Sequence, residues 1–83
     1  MYTIIVKKKA KKFLDSLPAQ ERNRVTAAIS ALPNGEDIKP IRGHSDLLRL
    51  RVGSYRVIYT VDHGILMVCV VAAGNRGDIY KNL

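Results

Sequence analysis

The stretch Leu47-Leu-Arg-Leu-Arg-Val-Gly-Ser-Tyr-Arg-Val-Ile-Tyr-Thr-Val61 alternates apolar and polar residues on both sides of Gly53-Ser54, the pattern of a β-hairpin closed by a two-residue turn. A two-residue loop with glycine first fixes the register: Val52 opposite Tyr55, Arg51 opposite Arg56, Leu50 opposite Val57 and Arg49 opposite Ile58. Because side chains alternate with period two, Leu50 and Val57 face the core, and Arg49, Arg51 and Arg56 share the other face. Two arginines directly across a ladder repel and weaken the sheet, a defect that a bound polyanion removes. The spacing therefore points to a nucleic-acid protein whose active surface is one face of a small sheet. The plainer alternative is a solvated face whose arginines pair with Asp37 or Asp46.

The chain as a whole is strongly basic, with 14 Lys+Arg against 7 Asp+Glu and a net charge of +7 over 83 residues. Such a balance attracts phosphates, anionic membranes and acidic protein partners. The length fits one domain, residues 1–83, and a domain this small buries only roughly 60–65% of its unfolded surface. The lone Cys69 can form neither an internal disulfide nor a zinc cluster, and reads as a small buried hydrophobe in a reducing, cytoplasmic setting. The apolar run Ile65–Ala73 is too short to span a bilayer, and the first residues place apolar side chains before lysines, the reverse of a signal peptide. No membrane association is expected.

Upstream, Tyr2–Val6 is a short β-branched strand. Ala10, Phe13, Leu14 and Leu17 form the stripe of an amphipathic helix across Lys7–Leu17, with Lys7, Lys8, Lys9, Lys11 and Lys12 on its remaining surface. Pro18 suits a first helical position, and Val25, Ala28, Ile29 and Leu32 repeat the stripe until Pro33-Asn34-Gly35. The short break makes the two an antiparallel helical hairpin. A loop follows around Gly35–Gly43, then the arginine hairpin, a turn at Asp62-His63-Gly64, and the strand Ile65–Ala73, apolar on both faces and so expected to be central. The order β-α-α-β-β-β predicts an α+β domain: an antiparallel sheet with the helices on the Leu50 and Val57 face and the arginine face open. Arg76 approaches that face from the end of the last strand, bringing Tyr80. His44 and His63 fall in loops without clustered ligands, so no metal site is expected. Tyr55 and Tyr59 fall on the core side.

The segment Ile41-Arg-Gly-His-Ser-Asp-Leu-Leu-Arg-Leu-Arg-Val-Gly-Ser-Tyr-Arg-Val-Ile-Tyr59, followed by Gly74-Asn-Arg-Gly-Asp-Ile-Tyr80, resembles the RelE/ParE superfamily of toxins from bacterial and archaeal toxin–antitoxin pairs. The likeness extends over nearly the whole chain, including the lysine-rich first helix and the Leu-Pro helix break. It implies a RelE-like fold and a metal-independent, cofactor-free endoribonuclease that cuts messenger RNA in the ribosomal A site and so inhibits translation. A cognate antitoxin with an acidic segment would wrap and silence it. Carried over by position, the catalytic residues are Arg49 and Arg51 as the paired basic residues of the sheet, Arg56 after the hairpin turn, Arg76 after the last strand, and Tyr80. Lys39, Arg42, Asn75 and Lys81 are the candidate RNA contacts.

The implied reaction is attack of a ribose 2′-hydroxyl on the adjacent phosphorus, leaving a 2′,3′-cyclic phosphate and a 5′-hydroxyl. Guanidiniums suit its dianionic transition state, since they donate in a planar fork and stay charged. A donor placed where charge develops contributes about 3–4 kcal/mol. The sheet pair here is Arg-Arg where RelE itself has lysines, and arginine, with a pKa above about 12, is a poor base. With no histidine or carboxylate placed beside the arginines, the proton acceptor is left among Tyr80 as phenolate, a water and a ribosomal group. Two other functions share these features: a ParE-like inhibitor of DNA gyrase, which binds a protein and needs no phosphate-cleaving constellation, and a non-catalytic nucleic-acid-binding domain.

Overall fold

The fold is taken from a computed structural model, which describes residues 1–75, the side chain of Ser45 excepted. Seven elements follow in order: β1 (Thr3–Val6), α1 (Lys8–Asp15), α2 (Ala19–Ser30), β2 (Ile38–Ile41), β3 (His44–Val52), β4 (Tyr55–Asp62) and β5 (Met67–Gly74). The strands form one sheet in the order β1-β5-β4-β3-β2. The α+β architecture, with two helices on one face of a sheet, is as the sequence predicts. The hairpin register is also as derived: Val52 pairs with Tyr55, Arg51 with Arg56, Leu50 with Val57 and Arg49 with Ile58.

Three features differ from the expectation. The segment read as a loop around Gly35–Gly43 contains β2, an edge strand antiparallel to β3. Its Pro40 is tolerated there because an edge strand has one unpaired side. The sheet is mixed, since β1 runs parallel to β5. The last strand begins at Met67 instead of Ile65. Asp62 Oδ1 accepts from the backbone N–H of Gly64 at 2.9 Å and of Ile65 at 3.2 Å. This Asx-type turn spends Ile65 and Leu66 on the connection, where both are exposed.

The helices form where the sequence supplies a stripe. In α1, Ala10 and Leu14 are buried and the lysines point outward. Lys11 pairs with Asp15 one turn later at 3.0 Å. In α2, Val25 and Ile29 are buried, and Leu32 closes the stripe. α1 lies mainly against β5 and α2 against β3. Their apolar faces meet Leu50, Tyr55, Val57, Tyr59, Val68 and Val70 in one continuous core, and among the described residues no helix covers the other side of the sheet.

Candidate functional site

Alternation within the observed register gives the helix-free face a definite layout. Lys39 of β2 pairs with Arg49 of β3, Arg49 with Ile58 of β4, and Ile58 with Ala72 of β5. In the adjoining row Arg51 pairs with Arg56 and Arg56 with Gly74. Further along, Thr60, Cys69 and Ile5 form a neutral row. Cys69 is thus half-buried on this face instead of lying in the core as its apolar surroundings suggested. One half of the face is cationic and the other nearly uncharged.

The turn that sets the arginine pair depends on Gly53. Its φ is +59° while Ser54 does not enter the positive region, the pattern of a type II′ hairpin. A Cβ at Gly53 would collide with the guanidinium of Arg24 on α2. That guanidinium also lies near Tyr55, whose phenol is held above its ordinary value by Glu21 beside the hydroxyl.

The three hairpin arginines are not equivalent. Arg51 is exposed, and among the described residues its side chain makes only a long 3.4 Å contact from Nε to the carbonyl of Gly53. Arg56 is half-buried. Arg49 is largely covered, its side chain 16% exposed, and its Nη2 donates to Asp37 Oδ1 at 2.7 Å. The face is therefore open at Arg51 but not at Arg49, and the pairing with Asp37 weighed from the sequence exists for Arg49 alone. Which of Asp37 and Asp46 makes the pair, and with which arginine, is decided by β2, whose ladder brings Asp37 beside Arg49.

Of the candidate RNA contacts, Lys39 is exposed on the same face, and Asn75 follows Gly74 directly, next to Arg56 in the ladder. Arg42 sits in the β2–β3 turn, about 20 Å along β3 from Arg51 at the usual rise of a strand, and does not join the cluster. Arg76, Tyr80 and Lys81 lie outside the described residues. His44 begins β3 instead of lying in a loop. His63 is in the turn as expected, where the Tyr2 hydroxyl lies 2.7 Å from its Nδ1. Among the described residues no cluster of His, Cys, Asp or Glu could hold a metal ion, and no helix is long and apolar enough to cross a membrane.

The sequence profile of the ParE toxin of type II toxin–antitoxin systems, parDE, matches residues 4–80. This chain belongs to that toxin family. Solved structures agree on the fold of the toxin. A chain of the archaeal RelE–RelB complex from Pyrococcus horikoshii is 27% identical with a TM-score of 0.73, the match covering 92% of this chain and 96% of that one. A chain of the RelB–RelE complex from Methanococcus jannaschii is 26% identical with a TM-score of 0.74, covering 95% and 98%. The isolated RelE toxin of E. coli is 22% identical with a TM-score of 0.74, covering 99% and 94%. No curated protein matches the toxin. It is thus a RelE-like toxin of the RelE/ParE superfamily.

Proposed function

We propose that this toxin is a ribosome-dependent endoribonuclease that cleaves messenger RNA in the A site by attack of a ribose 2′-hydroxyl on the adjacent phosphorus, and so arrests translation. The observation that carries the reading is the direct pairing of Arg51 with Arg56 on the face the helices leave free. Like charges opposed across a ladder destabilise a hairpin, and an RNA phosphate between them turns that repulsion into binding. In this reading Arg51 and Arg56 stabilise the pentacoordinate phosphorus, and Lys39 and Asn75 hold the flanking backbone. Arg76 and Tyr80 complete the site on the strength of the sequence alone. The structural relatives are chains of RelE–RelB complexes, which together with a net charge of +7 supports a cognate antitoxin with an acidic segment as the partner.

Two observations favour a second reading, inhibition of DNA gyrase. The matching family profile carries the ParE description, and Arg49, one of the proposed catalytic cations, is already neutralised by Asp37. Induction of the toxin without antitoxin separates the two. The endoribonuclease reading predicts that incorporation of labelled amino acids stops first while plasmid supercoiling is unchanged. Loss of supercoiling ahead of translation would favour gyrase.

A further inference from the structure

Asp37 stands immediately before β2, and its carbonyl accepts the backbone N–H of Arg51 at 3.0 Å. Since Ile38 pairs with Leu50, this bond carries the ladder one step further and sets Asp37 opposite Arg51. Ile38 packs toward the core, so Asp37 shares the helix-free face with Lys39, Arg49 and Arg51. Its Oδ1 takes the Arg49 hydrogen bond at 2.7 Å. Its Oδ2 has no recorded partner among the described residues, and the side chain is 42% exposed. A carboxylate anchored through one oxygen and open through the other has the form of a positioned base.

We propose that Asp37 is the proton acceptor for the 2′-hydroxyl in the cleavage described above, and that Arg49 is a positioning residue that holds its carboxylate. The inference rests on the endoribonuclease reading and supplies the base that the Arg-Arg sheet lacks. The 2′-hydroxyl proton passes to Asp37 Oδ2 as the 2′-oxygen bonds to phosphorus. The bond from phosphorus to the 5′-oxygen breaks, its electron pair leaves with that oxygen, and water protonates it to the 5′-hydroxyl. The protonated Asp37 then returns its proton to solvent. The charged groups on the same face as Asp37 are Arg49 and Arg51 of β3, Lys39 of β2 and Arg56 beyond Arg51 on β4. At the sheet edge, Glu36 and, from α2, Arg24 border with Asp37 and Arg51 a groove of about 420 Å³ that runs between α2 and β3 past Ala28 and Leu50.

The test is Asp37→Asn, whose amide oxygen still accepts from Arg49 and whose backbone still accepts from Arg51, so that the scaffold is retained and the base is lost. Single-turnover cleavage of messenger RNA on programmed ribosomes is expected to fall by about 10²-fold or more, with ribosome binding and melting temperature unchanged. Wild-type activity in Asp37→Asn overturns the proposal and leaves the endoribonuclease reading intact, whereas a wild-type toxin inert on ribosomes overturns both. Should the variant melt several degrees lower, cleavage is read at a temperature where it stays folded, and a wild-type rate there overturns the role of Asp37.

Discussion

Arg56 separates function from stability more cleanly than any other residue of the toxin, because its cost to the sheet and its use to the reaction come from the same pairing with Arg51. Replacing it with alanine removes the repulsion, and the domain is expected to melt at the same temperature or slightly higher, a gain within about 1 kcal/mol, while toxicity is lost. Calorimetry and a growth assay on the same variant check both halves. Tyr59 offers a purely structural counterpart. It is fully buried, its hydroxyl finds no hydrogen-bond partner among the described residues, and burial raises its phenol above the ordinary 10.0. A phenol that holds its proton more tightly folded than unfolded contributes stability that is complete below about pH 10 and lost as pH rises through the folded value. Tyr59→Phe is therefore expected to gain about 1 kcal/mol at neutral pH by removing an unsatisfied group. Its melting temperature should also fall less steeply than wild type above pH 10.

The elements differ in how plainly the sequence announces them, and the hairpin is the clearest. Period-two alternation on both sides of Gly53-Ser54 leaves one register that buries Leu50 and Val57, and that register is observed. Gly53 is constrained twice, by its φ of +59° and by the Arg24 guanidinium above it, whereas Gly43, at +83°, has nothing near the position of a Cβ. Alanine at either site bears the left-handed penalty of about 1–2 kcal/mol, and Gly53→Ala must in addition displace Arg24. Gly53→Ala is thus expected to be the more destabilising of the two, with Gly43→Ala near the bare conformational cost; urea melts of both variants test the order. β2 was illegible because Ile38-Lys-Pro-Ile41 is four residues with a proline, a composition that reads as loop until β3 supplies its partner. Without β2, nothing in the sequence chooses between Asp37 and Asp46 as the partner or among the three arginines, and the strand is what sets Asp37 against Arg49, 12 positions away. The parallel pairing of β1 was equally hidden, since a four-residue strand carries no mark of its direction. Ile65 and Leu66 looked like strand by apolarity alone, and only the Asp62 hydrogen bonds make them turn.

At the scale of the whole molecule, the helices and the cationic cluster occupy opposite sides of one sheet, so the surface proposed to meet RNA is supported from behind by the entire core. Positive charge in excess over the chain attracts polyanions in general, whereas the chemistry proposed above falls to the paired arginines and Asp37. Lys39→Ala is accordingly expected to weaken RNA binding without regard to sequence. Loss of one phosphate contact should also lower the slope of log affinity against log salt by roughly 0.7–0.9. The central claim, that the Arg51–Arg56 face cleaves messenger RNA on the ribosome, is tested most directly by mapping RNA ends after mixing purified toxin with programmed ribosomes. Cuts confined to the A-site codon, ending in a 2′,3′-cyclic phosphate, absent on naked RNA and absent with folded Arg56→Ala, are the predicted result. Intact messenger RNA with wild-type toxin, or the same cuts with Arg56→Ala, would contradict it.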